Sequence, residues 1–431
     1  MIFVGKAKAV AEWGQLRRVV VRRPGIEALF GLLEPFSALY ERVFSLERAV
    51  REHDDLVKTL RRDFGVNVEY LDEIIMEAAG RSHDVYEELA QWTTQALQFT
   101  GYGAGRARRH FLENLPLLER DVLLQILVLA PSINFVKRKG TRSIMPFTTL
   151  RVPLTNLFFM RDQQAVGDRG IILSRMAKPQ RRRETELTSF AWRAIGEKPV
   201  AAVRTGTFEG GDFLPCGSFA LIGTGDRTSP AAVREILTQG VGYPEVAVVH
   251  QPRHPLLRTN DPMVNMHLDT YLNFPGEGLA VGYPDMLSSA RTDVYRKAEE
   301  GKYHLSRRTR LSHYLTGQGF TIIPITTLEQ MCYATNFLTI RDRNIVVPDV
   351  ASNAEKVLAN LKRAEDANPW KYHDLFTQAS MDYSELRSSG TFFPNKPLAR
   401  DHGVKAEKIR LSNITGAFGG AHCLTATLER A

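Results

Sequence analysis

Cysteine is scarce in this sequence of 431 residues, which also lacks a long apolar run and a strong excess of charge of one sign. Its three cysteines, Cys216, Cys332 and Cys423, form no C-x-x-C pair. Because the number is odd and the spacing is wide, a disulfide framework and a structural zinc site are both disfavoured. Free thiols are typical of a reducing compartment, so the cysteine usage predicts a cytoplasmic protein.

The longest apolar stretch, near residues 122–136, is interrupted by Gln125, Pro131 and Asn134. It is shorter than the ~20 apolar residues that a membrane span needs. The N-terminal segment carries Lys6 and no continuous apolar core, which is unlike a signal peptide. These absences predict a soluble protein with no membrane partner.

Charge is nearly balanced, with 56 Lys and Arg against 48 Asp and Glu and a formal net charge of +8. The apolar fraction of 43% excludes a fully disordered chain. Basic stretches occur at residues 106–110, 137–142 and 181–183, but aromatic residues are not interleaved with them as in RNA-binding surfaces. We therefore expect no nucleic-acid partner, and nucleic-acid binding is the non-enzymatic alternative.

The order of apolar runs predicts a mixed α/β fold. A β-branched strand at 17–21 is followed by a helix at 46–64 and a strand at 66–71, and residues 72–135 predict a helical insertion. Beyond residue 137, helices separate many short strands. The strands predicted there lie at 157–160, 170–173, 220–223, 246–249, 279–282, 321–323, 337–340 and 345–347.

One internal repeat is present. The segment NLFFMRD at residues 156–162 aligns with NFLTIRD at residues 336–342, with Asn, Arg and Asp at the same internal spacing. Reuse of one supersecondary unit in a pseudo-symmetric fold would produce such a match.

Candidate chemical groups occur in four places. Cys423 follows Gly419 and Gly420, and glycines at these positions allow a close backbone approach that would leave the sulfur in a cleft. The alternative for Cys423 is a buried structural thiol. Cys216 and Cys332 have plainer surroundings and are predicted to lie in the core.

Three acidic motifs accompany this thiol. They are Arg161-Asp162 at the end of a predicted strand, Phe208-Glu-Gly-Gly-Asp212, and His267-Leu-Asp269. In a strand, His267 and Asp269 would lie on the same face, because residues i and i+2 point the same way.

A cleft lined by several carboxylates is costly unless a cation occupies it. A planar guanidinium fits paired carboxylates best, because its N–H groups bind them in a bidentate manner. Its carbon is a poor electrophile, and a thiolate with a histidine to transfer protons is suited to attack it.

The ordered set NLFFMRD, FEGGD, HLD and GGAHC resembles the arginine deiminase family of the guanidine-modifying (pentein) superfamily, and the resemblance covers nearly the whole chain. It implies one catalytic domain over residues 1–431, folded as a five-bladed α/β propeller with pseudo-fivefold symmetry. The helical insertion at 72–135 is also implied. So are a homo-oligomer and a reaction that needs neither a metal nor an organic cofactor.

The resemblance also implies roles for individual residues. Cys423 matches the nucleophile and His267 the general acid and base. Asp162 and Asp269 match the carboxylates that hold the guanidinium, and Glu209 matches the carboxylate that pairs with the histidine. The intermediate would be an amidino-thioether on the cysteine.

Five further positions match the binding site for the rest of the substrate. They are Asn156, Phe159, Arg181, Arg227 and Asp212. The run of three arginines at 181–183 leaves the position of one substrate arginine open by a residue.

The sequence departs from the family at Phe418, five residues before Cys423, where arginine deiminases have an arginine that contacts the substrate carboxylate. Free L-arginine is still the expected substrate. An agmatine deiminase or an amidinotransferase of the same superfamily is the alternative within this resemblance.

Two other enzyme classes remain open. His267-x-Asp269 also begins the motif of a facial-triad iron enzyme, with His304, His313 or His402 as the distant ligand. A cysteine hydrolase of amides would use the same thiol and imidazole, but it has no need of a carboxylate cluster.

Overall fold

The computed structural model describes residues 6–261, 264–299 and 301–431. Strands and helices alternate along the chain, as the apolar runs predict. The strands are β1 (Leu16–Val21), β2 (Asn67–Tyr70), β3 (Gln98–Gly101), β4 (Pro131–Lys137), β5 (Ile144–Leu150), β6 (Gln164–Gly167), β7 (Gly170–Leu173), β8 (Ala201–Ala202), β9 (Phe213–Cys216), β10 (Phe219–Thr224), β11 (Glu245–His250), β12 (Leu272–Gly276), β13 (Leu279–Gly282), β14 (Arg291–Lys297), β15 (Tyr303–Arg310), β16 (Thr321–Pro324), β17 (Leu338–Arg341), β18 (Asn344–Pro348), β19 (Lys405–Ile409) and β20 (Ala426–Arg430).

The helices connect these strands. They are α1 (Ile26–Leu33), α2 (Leu46–Arg62), α3 (Leu71–Arg81), α4 (His83–Ala96), α5 (Ala104–Asn114), α6 (Arg120–Leu129), α7 (Arg182–Ala194), α8 (Pro230–Gln239), α9 (Pro284–Ser289), α10 (Leu311–Gly317), α11 (Thr327–Met331), α12 (Val350–Ala367), α13 (Pro369–Ser389) and α14 (Pro397–Asp401).

Five groups of three strands share one connectivity. In each group the first two strands pair antiparallel, at least one helix follows, and the third strand pairs parallel with the second. The groups are β6–β7–β8, β9–β10–β11, β12–β13–β16, β17–β18–β19 and β20–β1–β2. The last group joins the two ends of the chain, because the C-terminal strand β20 pairs with β1.

Two additions extend this plan. The hairpin β14–β15 pairs with β11 and widens one sheet to five strands, in the order β15-β14-β11-β10-β9. Helices α3 to α6 lie between β2 and β6, where the sequence predicts an insertion. The insertion segment also contains the strands β3 and β4, whose small sheet with β5 continues to Leu150.

The central strands are apolar on both faces. All six residues of β10 are buried, since helices and neighbouring sheets cover both sides. The insertion shares this interior: Leu124 and Val128 of α6 belong to the same apolar cluster as Trp192 of α7 and Leu428 of β20.

The structure confirms most of the predicted strands, together with helix α2, but not the strand at 157–160. That segment forms hydrogen-bonded turns, in which the amide of Leu157 donates to the carbonyl of Leu154 and that of Phe159 to Asn156. All four of its residues are buried in the core. A buried loop and a buried strand have the same apolar composition, so composition alone did not separate them.

Two other local predictions are wrong. His267 and Asp269 do not lie on a strand, because Leu268–Thr270 forms a short 3-10 helix. Residues 156–162 form turns, whereas 336–342 overlap strand β17, so the two copies of the repeated motif are not structurally equivalent. The repetition in this fold lies instead in the connectivity of the five strand groups.

Candidate active site

One side chain from each strand group contributes to a buried cluster of polar groups. Asp162, Glu209, Asp269, Asn336 and Cys423 each lie two to four residues before the first strand of their group. The five loops that lead into these strands therefore converge, and they bring together residues that are far apart in sequence.

Cys423 is buried, with 4% of its surface exposed, and its sulfur lines a small cavity. The side-chain amide of Asn336 donates to the sulfur at 3.1 Å, and its oxygen accepts from the backbone amide of Cys423 at 3.1 Å. The Asp269 carboxylate lies 3.7 Å from the sulfur. Burial and the negative charges of Asp269 and Asp162 raise the pKa of the Cys423 thiol well above its usual value.

His267 lies between two carboxylates. Its Nε2 is 2.8 Å from Oε2 of Glu209, and its Nδ1 is 3.7 Å from Oδ1 of Asp162. Burial disfavours the charged imidazole, but Asp162, Glu209 and the nearby Asp212 outweigh burial and raise the pKa of His267 to about 9. The ring is therefore protonated at neutral pH and able to donate a proton.

Two carboxylates retain an oxygen without a hydrogen-bond partner. Oδ2 of Asp162 accepts from Arg181, and Oδ2 of Asp269 accepts from Asn336 and His422. Within the described residues, Oδ1 of Asp162 and Oδ1 of Asp269 are buried and accept no hydrogen bond. An unpaired buried acceptor is costly, so both oxygens favour a ligand that donates N–H groups.

Glycine is required beside these groups. A Cβ on Gly211 would lie 2.8 Å from Nδ1 of His267, and a Cβ on Gly419 would lie 2.3 Å from the ring of Phe159. Both distances are too short for a side chain, which explains the glycines of FEGGD and GGAHC by close packing.

The two arginines predicted to bind the substrate carboxylate line the cavity, and each is also paired with a carboxylate. Arg181 donates to Asp162 at 2.7 Å and holds Glu184 through two of its nitrogens. Arg227 donates to Glu209 at 3.2 Å. Among residues 181–183, Arg181 is the residue that lines the cavity.

The remaining predicted binding residues divide into two groups. Asn156 and Phe159 line the cavity, and the Asn156 amide donates to the carbonyl of Ala38 at 2.7 Å. Asp212 lies behind the His267 loop, where its Oδ1 accepts from the amide of Leu268 at 3.0 Å. Burial raises the pKa of Asp212 to about 6.

Leu39 and Phe418 complete the cavity wall, and both have a left-handed backbone, with φ of 62° and 68°. Such values are uncommon for residues other than glycine. The cavity has a free volume of about 10 Å³, which is enough for about one water molecule. Access for a molecule as large as an amino acid therefore requires this wall to move.

Several residues of the site were not predicted from the sequence. The Nδ1 atom of His422 contacts Asp269 at 2.8 Å, and its Nε2 lies 3.5 Å from Glu12, which also pairs with Arg430. His422 stands beside Cys423 in GGAHC, and Asn336 opens the second copy of the repeat, so both could have been considered. Glu12 carries no local signal.

A metal site was tested on the same side chains. In the part of the chain that the structure describes, the group with ligand atoms within 4.8 Å is Asp162, Glu209 and His267. The facial-triad alternative requires Asp269 and a second histidine, and this group contains neither. Arg181 and Arg227 already neutralise its two carboxylates, which disfavours a divalent cation.

Among the described residues, no helix combines the length and apolar character needed to cross a membrane.

The fold of this chain is similar to that of two solved structures. Dimethylarginine dimethylaminohydrolase from Pseudomonas aeruginosa, solved with citrulline, matches with a TM-score of 0.50 and 14% identity, covering 95% of this chain and 98% of that chain. The N-terminal domain of ArgZ, an arginine dihydrolase from cyanobacteria, matches with a TM-score of 0.52 and 14% identity, covering 96% and 97%.

The sequence comparison identifies a more specific group of proteins than the fold comparison does. The family model of arginine deiminase matches residues 37–430. An arginine deiminase of Halobacterium salinarum is 24% identical, covering 99% of this chain and 97% of the relative, and one of Rhodococcus erythropolis is 27% identical, covering 68% and 72%. The chain belongs to the arginine deiminase family, and the prediction of a hydrolase for guanidinium groups is confirmed at this level.

Proposed function

We propose that this protein hydrolyses the guanidinium group of free L-arginine to citrulline and ammonia through a covalent intermediate on Cys423. The observation that carries the proposal is the pair of unpaired buried oxygens on Asp162 and Asp269 beside a thiol and a protonated imidazole. Two guanidinium N–H groups would satisfy both oxygens.

In the first half-reaction, the positive substrate offsets the two carboxylates that suppress ionisation of the thiol. The Cys423 thiol then loses its proton to water, and the thiolate adds to the guanidinium carbon. His267 donates a proton to the departing nitrogen, and ammonia leaves. The product of this step is an amidino-thioether on Cys423.

In the second half-reaction, His267 is neutral and accepts a proton from water as the oxygen attacks the same carbon. Collapse of this adduct breaks the carbon–sulfur bond and releases citrulline and the thiolate. Asp162 and Asp269 hold the nitrogen atoms through both steps, so the carbon stays aligned with the sulfur.

We assign the amino-acid end of the substrate to Asn156, Phe159, Arg181 and Arg227. Arg227 is the arginine to test, because removing it leaves the Arg181–Asp162 pair intact. Wild type should prefer arginine to agmatine in kcat/KM. The Arg227→Ala variant should lose about ten- to a hundredfold with arginine, the value of one charge-assisted contact, and much less with agmatine.

Arg182→Ala is the matched control, because Arg182 is exposed beside Arg181 and does not line the cavity. It should leave both substrates unaffected. A wild-type preference for agmatine, or equal losses with both substrates in Arg227→Ala, would replace the arginine assignment with the agmatine alternative.

For the fold, we propose a five-bladed α/β propeller in which each strand group is one blade and residues 1–431 form one catalytic domain. The shared connectivity and the convergence of the five loops support this arrangement. Residues 72–135 would then be an insertion between the blade that joins the chain ends and the blade β6–β7–β8, packed on the domain through α6.

We also propose a cytoplasmic homo-oligomer. All three cysteines are free and buried, which agrees with a reducing compartment. The strand β5 is an exposed sheet edge without a charged residue, and such an edge favours pairing with a second copy.

A further inference from the structure

A second cavity lies behind the wall of the catalytic one. It is open to solvent and has a volume of about 840 Å³. Its sides are the segment 34–45, the first turn of α2, one face of α12, and Ser412 and Asn413. None of its residues contributes to the proposed reaction.

Positive charge is concentrated in this cavity. Arg48, Lys356 and Arg363 line it, and among the described residues none of the three has a carboxylate within salt-bridge distance. Lys356 and Arg363 are seven residues apart in α12 and so lie on one helix face. Burial lowers the pKa of Lys356, and the positive charges of Arg42 and Arg48 act in the same direction against the opposing charge of Glu52.

Two carboxylates of the cavity, Glu41 and Glu34, are each hydrogen-bonded to other groups of the chain. Glu41 is engaged by Arg42 and by the side-chain amide of Asn360 at 3.0 Å, and Glu34 accepts from the backbone amide of Ser37. Helix α2 begins here as well, and its N-terminus carries the positive end of the helix dipole.

The walls of the cavity also offer apolar surface. Phe36 is 82% exposed and Val43 is 68% exposed, and both belong to the segment that forms one side. An anion with an apolar or planar part therefore fits this cavity better than a bare inorganic ion.

The same segments form the wall of the catalytic cavity. The backbone amides of Glu41 and Arg42 donate to the carbonyl of Gly416 at 2.8 and 3.1 Å, and the Arg42 guanidinium donates to Thr415 at 3.2 Å. Leu39 and Phe418 continue these two segments into the catalytic cavity. A ligand that bridges α2 and α12 would change the freedom of this wall to move.

We propose that the second cavity binds a phosphate ester that carries an aromatic or aliphatic group, and that its occupancy changes the affinity for arginine. The effect on arginine rests on the proposed function, whereas binding of the ester does not. Coupling between two sites is reciprocal, so each ligand should change the affinity of the other by the same factor.

Isothermal titration calorimetry of the full chain with inorganic phosphate, pyrophosphate and ATP tests the site directly. We expect ATP to bind most tightly, with an affinity that falls as salt rises. The double variant Lys356→Ala/Arg363→Ala should weaken ATP binding at least tenfold. Lys362→Ala is the control, because Lys362 pairs with Glu365 and Asp366 outside the cavity.

Absence of saturable binding at millimolar concentration, or binding that the double variant leaves unchanged, would overturn the site. Equal affinity for phosphate and ATP would overturn the ester assignment. The KM for arginine should differ with and without saturating ATP in wild type and not in the double variant, and an unchanged KM would overturn the coupling. If arginine is not turned over at all, the proposed function fails while the calorimetry still decides the site.

Discussion

At the scale of single residues, the site depends on opposing effects of the same carboxylates. Asp162 lies beside both the sulfur and the imidazole, and it raises the pKa of each. The free enzyme therefore favours a neutral thiol and a charged His267. In the proposed reaction, a cationic substrate reverses only the first of these preferences, so that binding promotes ionisation of the Cys423 thiol.

The pH dependence of the reaction follows from His267. Its pKa of about 9 lies above the value of about 6.5 for an unperturbed histidine, so the proton that it must donate is lost as pH rises through about 9. We expect kcat/KM for arginine to fall above that pH. The protonated ring also stabilises the fold fully below about pH 6.5, and this contribution should disappear over the same rise.

The Glu209→Gln variant supplies the comparison, because it removes one negative charge next to His267 and should move the alkaline limb to lower pH. An alkaline limb near pH 6.5 in wild type would contradict the assigned proton donor.

Short motifs identify residues of this kind when the chemistry is local. Cys423, His267 and Glu209 could be predicted because each lies in a recognisable group of glycines and charged residues. Glu12 could not, because it meets His422 only after β20 pairs with β1. Contacts across more than four hundred residues leave no local pattern.

At the scale of elements, helix α2 holds the loop that leads to Cys423. The Glu52 carboxylate on α2 accepts from the backbone amides of Asn413 and Ile414 at 2.9 and 3.0 Å and from the Asn413 side chain at 2.7 Å. The Glu52 side chain therefore supplies the hydrogen-bond acceptors for the first residues of the segment that ends at Phe418.

Removing that carboxylate should cost stability. Glu52→Ala leaves two buried backbone amides without an acceptor, at about 1–3 kcal/mol for each. We expect a lower free energy of unfolding in urea and a raised KM for arginine. Glu47→Ala on the same helix is the control, since Glu47 is exposed and pairs with the exposed Arg51. Equal stability of the two variants would show that Glu52 does not hold the loop.

Elements were predictable where the pattern was distinctive. The β-branched run of β1 and the helical spacing of α2 have one structural interpretation each. The apolar run at 157–160 has two interpretations, a strand or a buried loop. It is a buried loop, so its apolar residues reflect burial and not strand pairing. Residues 268–270 form a short 3-10 helix just before the chain enters β12, and period-two spacing does not encode this helix.

At the scale of the whole molecule, five copies of one connectivity deliver five loops to one centre. The edges of the sheets differ in how they are protected. The edge strand β15 carries Arg307, Arg308 and Arg310, which discourages pairing with another chain. Strand β5 has no charged residue, and Met145 and Phe147 on one face are each 50% exposed.

Sedimentation analysis tests whether β5 joins two copies. Wild type should sediment as a dimer or a larger even-numbered assembly, and Phe147→Asp should shift it toward monomer, because a charge at the paired edge must be desolvated. Leu117→Asp is the control at an exposed position outside this sheet. A monomeric wild type would contradict the proposed oligomer, and an assembly unaffected by Phe147→Asp would exclude β5 as its interface.

The central claim is that Cys423 attacks the carbon of a guanidinium held by Asp162 and Asp269. Rapid mixing of the enzyme with arginine, acid quenching and mass spectrometry of the peptides tests it most directly. The peptide that contains Cys423 should transiently gain the mass of one arginine less one ammonia, in wild type and in Cys332→Ala. Cys423→Ala should form neither the adduct nor citrulline. An adduct on another residue, or citrulline formation by Cys423→Ala at a rate near that of wild type, would contradict the account.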